Sequence, residues 1–208
     1  VDTLVCLELG AKRVFAAALE WPGWCRSGPS EAGALEALGE YGRRYAPVTA
    51  LAGLPLPSGA SDGFEVTERL PGNATTDFGA PGMVAAHDHR ALDAAQAKRL
   101  AALVAGCWEY FDGVTARAPA ELRKGPRGGG RDRDQIRLHV AEAETSYARK
   151  LGIRLCPDPA EVRAALVEVL GTASDGRPLT EKGWPPRYAA RRIAWHVLDH
   201  AWEIEDKS

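Results

Sequence analysis

From residue 91 onward the chain repeats one pattern. In ALDAAQAKRLAALVAGCWEYFDGVTARA, Leu92, Ala95, Leu100, Leu103, Val104, Cys107, Trp108 and Phe111 recur at helical spacing. This predicts a long amphipathic helix that breaks near Pro119. DQIRLHVAEAETSYARKLG predicts a second helix, stopped by Gly152. DPAEVRAALVEVLG predicts a third, capped by Asp158 with Pro159 in its first turn and Gly171 at its end. PPRYAARRIAWHVLDHAWEIED predicts the fourth. Helices of this length need one another to bury their stripes, so a four-helix bundle over residues 81–208 is the economical architecture.

The first 80 residues have a different texture. VDTLVCLELG and RVFAAALEW have strand character, and GFEVTERLPG alternates Phe64 and Val66 with Glu65 and Thr67. WPGWCRSG between the first strands and the next helix reads as a turn built on Pro22 and Gly23. SEAGALEALGEYGRRYA then places Ala34, Leu35, Leu38, Tyr41 and Tyr45 at helical spacing, with Ser30 as the N-cap. LAGLPLPSGASDG breaks it. The expected fold class is therefore α+β, a small αβ unit over residues 1–80 followed by the bundle.

Composition narrows the function classes. Of 208 residues 45% are hydrophobic, enough for a packed core, and the formal charge is only -2. That balance makes nucleic acid an unlikely partner, since such binding runs on phosphate neutralisation. No apolar run approaches the roughly 18–20 residues of a membrane span. VDTLVCLELG lacks the basic stretch and cleavage site of a signal peptide. Cys6, Cys25, Cys107 and Cys156 are scattered, which fits free thiols in a reducing, cytoplasmic setting.

The chemistry lies in five histidines. His87 and His89 sit in the linker HDHR; the other three fall on predicted helices. His196 and His200 are four residues apart, so both imidazoles share one helix face with Ile193, Val197 and Ile204. His139 lies beside Ile136, Val140 and Ala143 on another helix. Burying imidazoles is costly unless their nitrogens find partners, and a metal ion would satisfy several at once. Three histidines leave a coordination position open, as in catalytic sites; closed structural zinc sites use four ligands, often cysteine.

Other groups belong near this set. Glu203, three past His200, could orient an imidazole or act as a general base. Asp199 and Glu142 are acceptors of the same kind, or surface acids. GPRGGGRDRD precedes the helix of His139; its glycines expose backbone N–H groups, and Arg127, Arg131 and Arg133 add positive charge suited to an anionic substrate. No Lys-Ser/Thr follows the glycines, so it is not a nucleotide-binding Walker loop. Trp21 and Trp24 either brace the turn or stack on a ligand.

Two stretches resemble known families. The strand, PG turn and SGPSEAGALEAL, over about residues 12–45, are similar to the HicB-like domain of antitoxins. The shared features are structural and imply a fold alone. Residues 91–206, with His139 in RDQIRLHVAEAE and the pair in RRIAWHVLDHAWEIE, resemble the DinB/YfiT-like superfamily of metal-binding four-helix bundles. There one histidine comes from the second helix and an HxxxH pair from the last. The resemblance implies that His139, His196 and His200 bind a divalent ion, zinc or nickel, and that the chain is a metal-dependent enzyme of thiol transferase, isomerase or hydrolase type. Its thiol would be a small one such as mycothiol, and its partner a small-molecule substrate, with a homodimer an allowed state. The competing reading is a non-enzymatic module, in which the HicB-like unit recognises a partner and the bundle is a scaffold.

Overall fold

The computed structural model describes residues 2–126, 128–154 and 158–208. Strands β1 (Thr3–Leu9), β2 (Val14–Ala18), β3 (Cys25–Gly28) and β4 (Phe64–Pro71) form one sheet in the order β3-β2-β1-β4. β1 and β3 run antiparallel to β2, with Val5 opposite Ala18 and Ala17 opposite Cys25; β4 runs parallel to β1. Helix α1 (Glu31–Leu51) makes the crossover that the parallel pair requires.

The apolar runs of β1 and β2 are nearly continuous because both sheet faces are covered. Successive side chains point to opposite sides. Val5, Leu7, Val14, Ala16 and Ala18 join the main core with α1 and the helices. Cys6, Phe15, Ala17 and Leu19 form a second cluster with Leu70, Ala85 and Trp195. β3 is absent from the sequence reading because CRSG has no hydrophobic alternation; its ladder to β2 makes it a strand.

The WPGW stretch braces its turn. Trp24 is fully buried, donates from Nε1 to the Leu38 carbonyl at 2.8 Å, and stacks on Tyr45 at 5.6 Å between centroids. The Tyr45 hydroxyl in turn donates to the Pro22 carbonyl at 2.8 Å. Gly23 has φ +92°, and a Cβ there would lie 2.6 Å from the Leu198 side chain, so the turn is seated directly on the last helix.

Ser30 caps α1 as expected, accepting from the Gly33 amide at 3.1 Å. The helix runs on through Pro47 to Leu51, where LAGLPLPSGASDG begins. Proline removes a hydrogen bond, but Val48 and Thr49 are buried, and the backbone there lies against Gly106, where a Cβ would be 2.9 Å from the Val48 carbonyl oxygen. Packing overrides the local signal. A short helix α2 (Ala74–Phe78) and a 3-10 turn (Ala86–His89) follow, both too short to read from periodicity.

The remaining helices are α3 (Ala94–Arg117), α4 (Arg133–Lys150), α5 (Pro159–Leu170) and α6 (Pro186–Lys207). α3 packs on α5 and α6, and α4 packs on the same two. α1 packs on α3, and one hydrophobic core runs from Val5 and Leu38 through Val104 to Ile193. The segments before and after residue 80 thus share a core. α6 is the most enclosed helix, buried nearly throughout from Pro186 to Leu198.

Two buried charges tie the 72–89 segment to this frame. Glu8 accepts from the Thr76 hydroxyl and from the amides of Gly82 and Met83 at 3.0 Å. Asp88, fully buried, takes a two-point ion pair from Arg191 of α6, with Nε–Oδ1 2.9 Å and Nη2–Oδ2 2.5 Å. Among the described residues no helix is long and apolar enough to cross a membrane.

Candidate metal centre

α4 and α6 lie side by side, and each turns histidine toward the other. The i, i+4 spacing sets His196 and His200 one turn apart, and His139 reaches across from α4. Ring centroids are 5.0 Å apart for His139–His196, 4.9 Å for His139–His200 and 4.7 Å for His196–His200. The rings thus form a nearly equilateral triangle, and one ligand-capable nitrogen from each lies within 4.8 Å of the others. His196 is buried, while His139 and His200 are half-buried, so the group stands at the rim of the core.

Nε2 of His196 lies 3.2 Å from Nε2 of His139. Tetrahedral coordination at zinc–nitrogen distances of about 2.0–2.1 Å places neighbouring nitrogens about 3.3 Å apart. The observed separation therefore fits two ligands of one ion. The protonation state fits as well. Burial foremost, and then the facing His200 and His139 rings with Arg192 and Arg131, push His196 down to about 2. Burial, His200 and Arg131 also lower His139. Neutral imidazole is the form that binds metal.

Glu203 is paired with His200 of the cluster. Its Oε2 lies 2.8 Å from Nδ1 of His200, leaving Nε2 of that ring for the cluster, and its Oε1 pairs with Lys207. The His200 hydrogen bond, reinforced by Lys207, holds the Glu203 carboxyl down at about 2. Both oxygens are engaged, an arrangement that suits orientation of the imidazole, one of the two roles its spacing suggests. Such outer carboxylates fix the tautomer and raise ligand basicity. Glu203→Gln is expected to weaken metal affinity by about 10–100-fold, measured by competition with a chromogenic chelator.

Comparison with family models, curated proteins and solved structures finds no match to the chain.

Arg131 of the basic loop is exposed and near enough to depress both His139 and His196. Arg133 is not a free cation for a substrate: Nε pairs with Asp134 at 2.9 Å and Nη1 donates to the Ala118 carbonyl at 2.9 Å. It lines a cleft between α3, α4 and α5 with Arg137 and Arg163. Arg127 lies outside the described residues. The loop is tied to the end of α6, where the Arg123 amide donates to the Lys207 carbonyl at 2.9 Å. Asp199 is taken by Arg26 of β3 at 3.0 Å, and Glu142 is exposed.

Around His196 the neighbours are aromatic. Tyr147 lies 5.8 Å from its ring and Trp195 6.1 Å, and Nδ1 of His196 is buried with no hydrogen-bond partner. The histidine depression has a sign for stability. In metal-free protein the unfolded chain binds protons below about pH 6.5 that His196 refuses until about pH 2. Stability is therefore full above the unfolded value and lost as pH falls. Between pH 7 and pH 5 this one group is expected to cost about 2 kcal/mol. Urea unfolding in chelator at both pH values checks it, and His196→Gln should flatten the difference.

Proposed function

We propose that this chain is a divalent-metal protein of the DinB-like kind, using zinc or nickel on His139, His196 and His200, and that it acts as an enzyme. The observation that carries the reading is the convergence of three imidazoles from two helices, with no fourth protein ligand among the described residues. Bound there, the ion would supply Lewis acidity and lower the pKa of a water or thiol at the open position.

The chain's own groups divide the remaining work. Glu203 holds His200 in one tautomer. Tyr147 and Trp195 pack against the ring of His196. The half-exposed edges of His139 and His200 leave the outer side open to a small substrate. Reaction of a thiol such as mycothiol with a small electrophile suits this arrangement, and the HicB-like N-terminal unit serves as a wall of the fold. Arg192, a fixed cation one helical turn before His196, favours an enzyme over a purely structural metal site.

The test is reconstitution. Apo protein prepared with chelator and reloaded with zinc or nickel should catalyse thiol addition or transfer on a panel of small electrophiles, with rate following metal content. Equal rates in apo and loaded protein would reject the enzyme reading.

A further inference from the structure

Arginines packed along this side of α6 are matched to carboxylates. Arg191 has Asp88, Arg187 has Glu20 and Arg26 has Asp199. Arg192 is the exception. Its Nη1 is buried without a hydrogen-bond partner, and no carboxylate pairs with it among the described residues. Its guanidinium is held instead by rings, 4.7 Å from the Trp195 centroid and 5.8 Å from that of Tyr147. Those are the two rings that pack against His196. Arg192 is also one helical turn before His196, on the same face.

Such a placement is unfavourable on its own. Burying a guanidinium N–H without an acceptor carries a desolvation cost, and stacking on aromatic faces does not supply the acceptor. The charge also opposes a cation at the three histidines, since arginine stays protonated at any working pH. An anion between Arg192 and the metal would remove both penalties. The cavity on the other flank of Arg192, bounded by Cys25, Met83 and Tyr188, has a volume of about 10 Å³. That is room for one water molecule at most. That cavity is too small for an anion, and the two rings that hold Arg192 also pack against His196, which favours the histidine side.

We infer that Arg192 is the anion-recognising residue of this site: it holds the carboxylate of a small ligand whose donor atom takes the open position among His139, His196 and His200. The inference rests on the metal-site reading and adds the substrate class, a small carboxylic acid. The planar guanidinium matches a carboxylate in two-point geometry, and its aromatic seat fixes its direction before the ligand arrives. Arg131 also acts on the histidines, but it is exposed and screened by solvent.

The test uses cobalt-loaded full-length protein, in which thiolate binding is read from thiolate-to-metal charge-transfer absorption. Two acids, 3-mercaptopropionate and 4-mercaptobutyrate, are titrated against the neutral 3-mercaptopropan-1-ol. At least one acid is expected to bind about tenfold or more tighter than the alcohol. Arg192→Gln should bring that ratio near one while cobalt content and alcohol affinity hold, and Arg192→Lys should restore part of it. Equal binding of acids and alcohol by the parent protein overturns the assignment. So does a preference that survives in Arg192→Gln or is lost in Arg131→Gln instead. A chain that takes up no cobalt overturns the metal-site reading, and this inference with it.

Discussion

Replacing His196 with Ala is expected to abolish stoichiometric metal binding and leave the fold standing. His196 is the central histidine of the group. It is the most buried of the three, its Nε2 lies 3.2 Å from that of His139, and its ring lies 4.7 Å from that of His200. Without it the other two imidazoles form a half-exposed pair from different helices, with no buried anchor. Affinity should fall by more than the roughly 10–100-fold that loss of an outer partner costs. The helices do not depend on the ion. Leu103, Val104, Ile136, Ile193 and Leu198 are fully buried apart from the cluster, so the core exceeds what a zinc-dependent finger possesses. In chelator the variant also loses a buried imidazole whose Nδ1 has no partner, which costs little. Elemental analysis after dialysis, with far-ultraviolet circular dichroism, checks both halves. Full occupancy in the variant would show that the ligands are misassigned, and collapse of the helical signal would show that the ion is structural.

The largest effect on stability is expected at Asp88. This carboxylate is fully buried, takes both Arg191 hydrogen bonds and accepts from the Ala85 amide at 2.8 Å. Asp88→Ala would leave a nearly buried guanidinium with no counter-charge between the sheet and α6. Breaking such a pair on one side costs about 3–5 kcal/mol. For a chain of this size that is a fall in melting temperature on the order of 10 °C. The cost comes mainly from the orphaned charge, so Arg191→Met added to Asp88→Ala should recover much of it. Thermal unfolding of the two variants decides the matter. A loss below about 1 kcal/mol in the single variant would mean that water reaches Arg191 and the pair does not clamp the 3-10 turn to α6.

What the sequence reveals follows the range of the forces involved. Helices α3 to α6 are legible because each carries a local periodic stripe, with Asp158, Pro159, Gly152 and Gly171 marking ends. β1, β2 and β4 are legible from β-rich runs. β3 is not, since its strand character comes from pairing with β2, and the passage of α1 through Pro47 depends on a close approach to Gly106 of α3. The three histidines can be picked out as the ones on helical faces. Glu203 can be placed near them by spacing, but its role cannot, because Lys207 and His200 together decide it. The Asp88–Arg191 pair spans about a hundred residues and has no local signature. Spacing leaves Asp199 as an acceptor near the histidines or a surface acid; only the structure gives it to Arg26 and sets Arg192 among aromatics. Pairings over long sequence distances are what composition and periodicity leave out.

X-ray absorption at the metal edge, on protein loaded with one equivalent of zinc or nickel, addresses the central claim most directly. One tightly held ion per chain is expected, with three imidazole nitrogens at about 2.0–2.2 Å in a first shell completed by a light exchangeable donor. Loss of one imidazole from that shell in His139→Ala should accompany the loss of affinity. A sulfur-containing shell, fewer than two imidazoles, or no retention of the ion through dialysis would contradict a metal centre built on His139, His196 and His200.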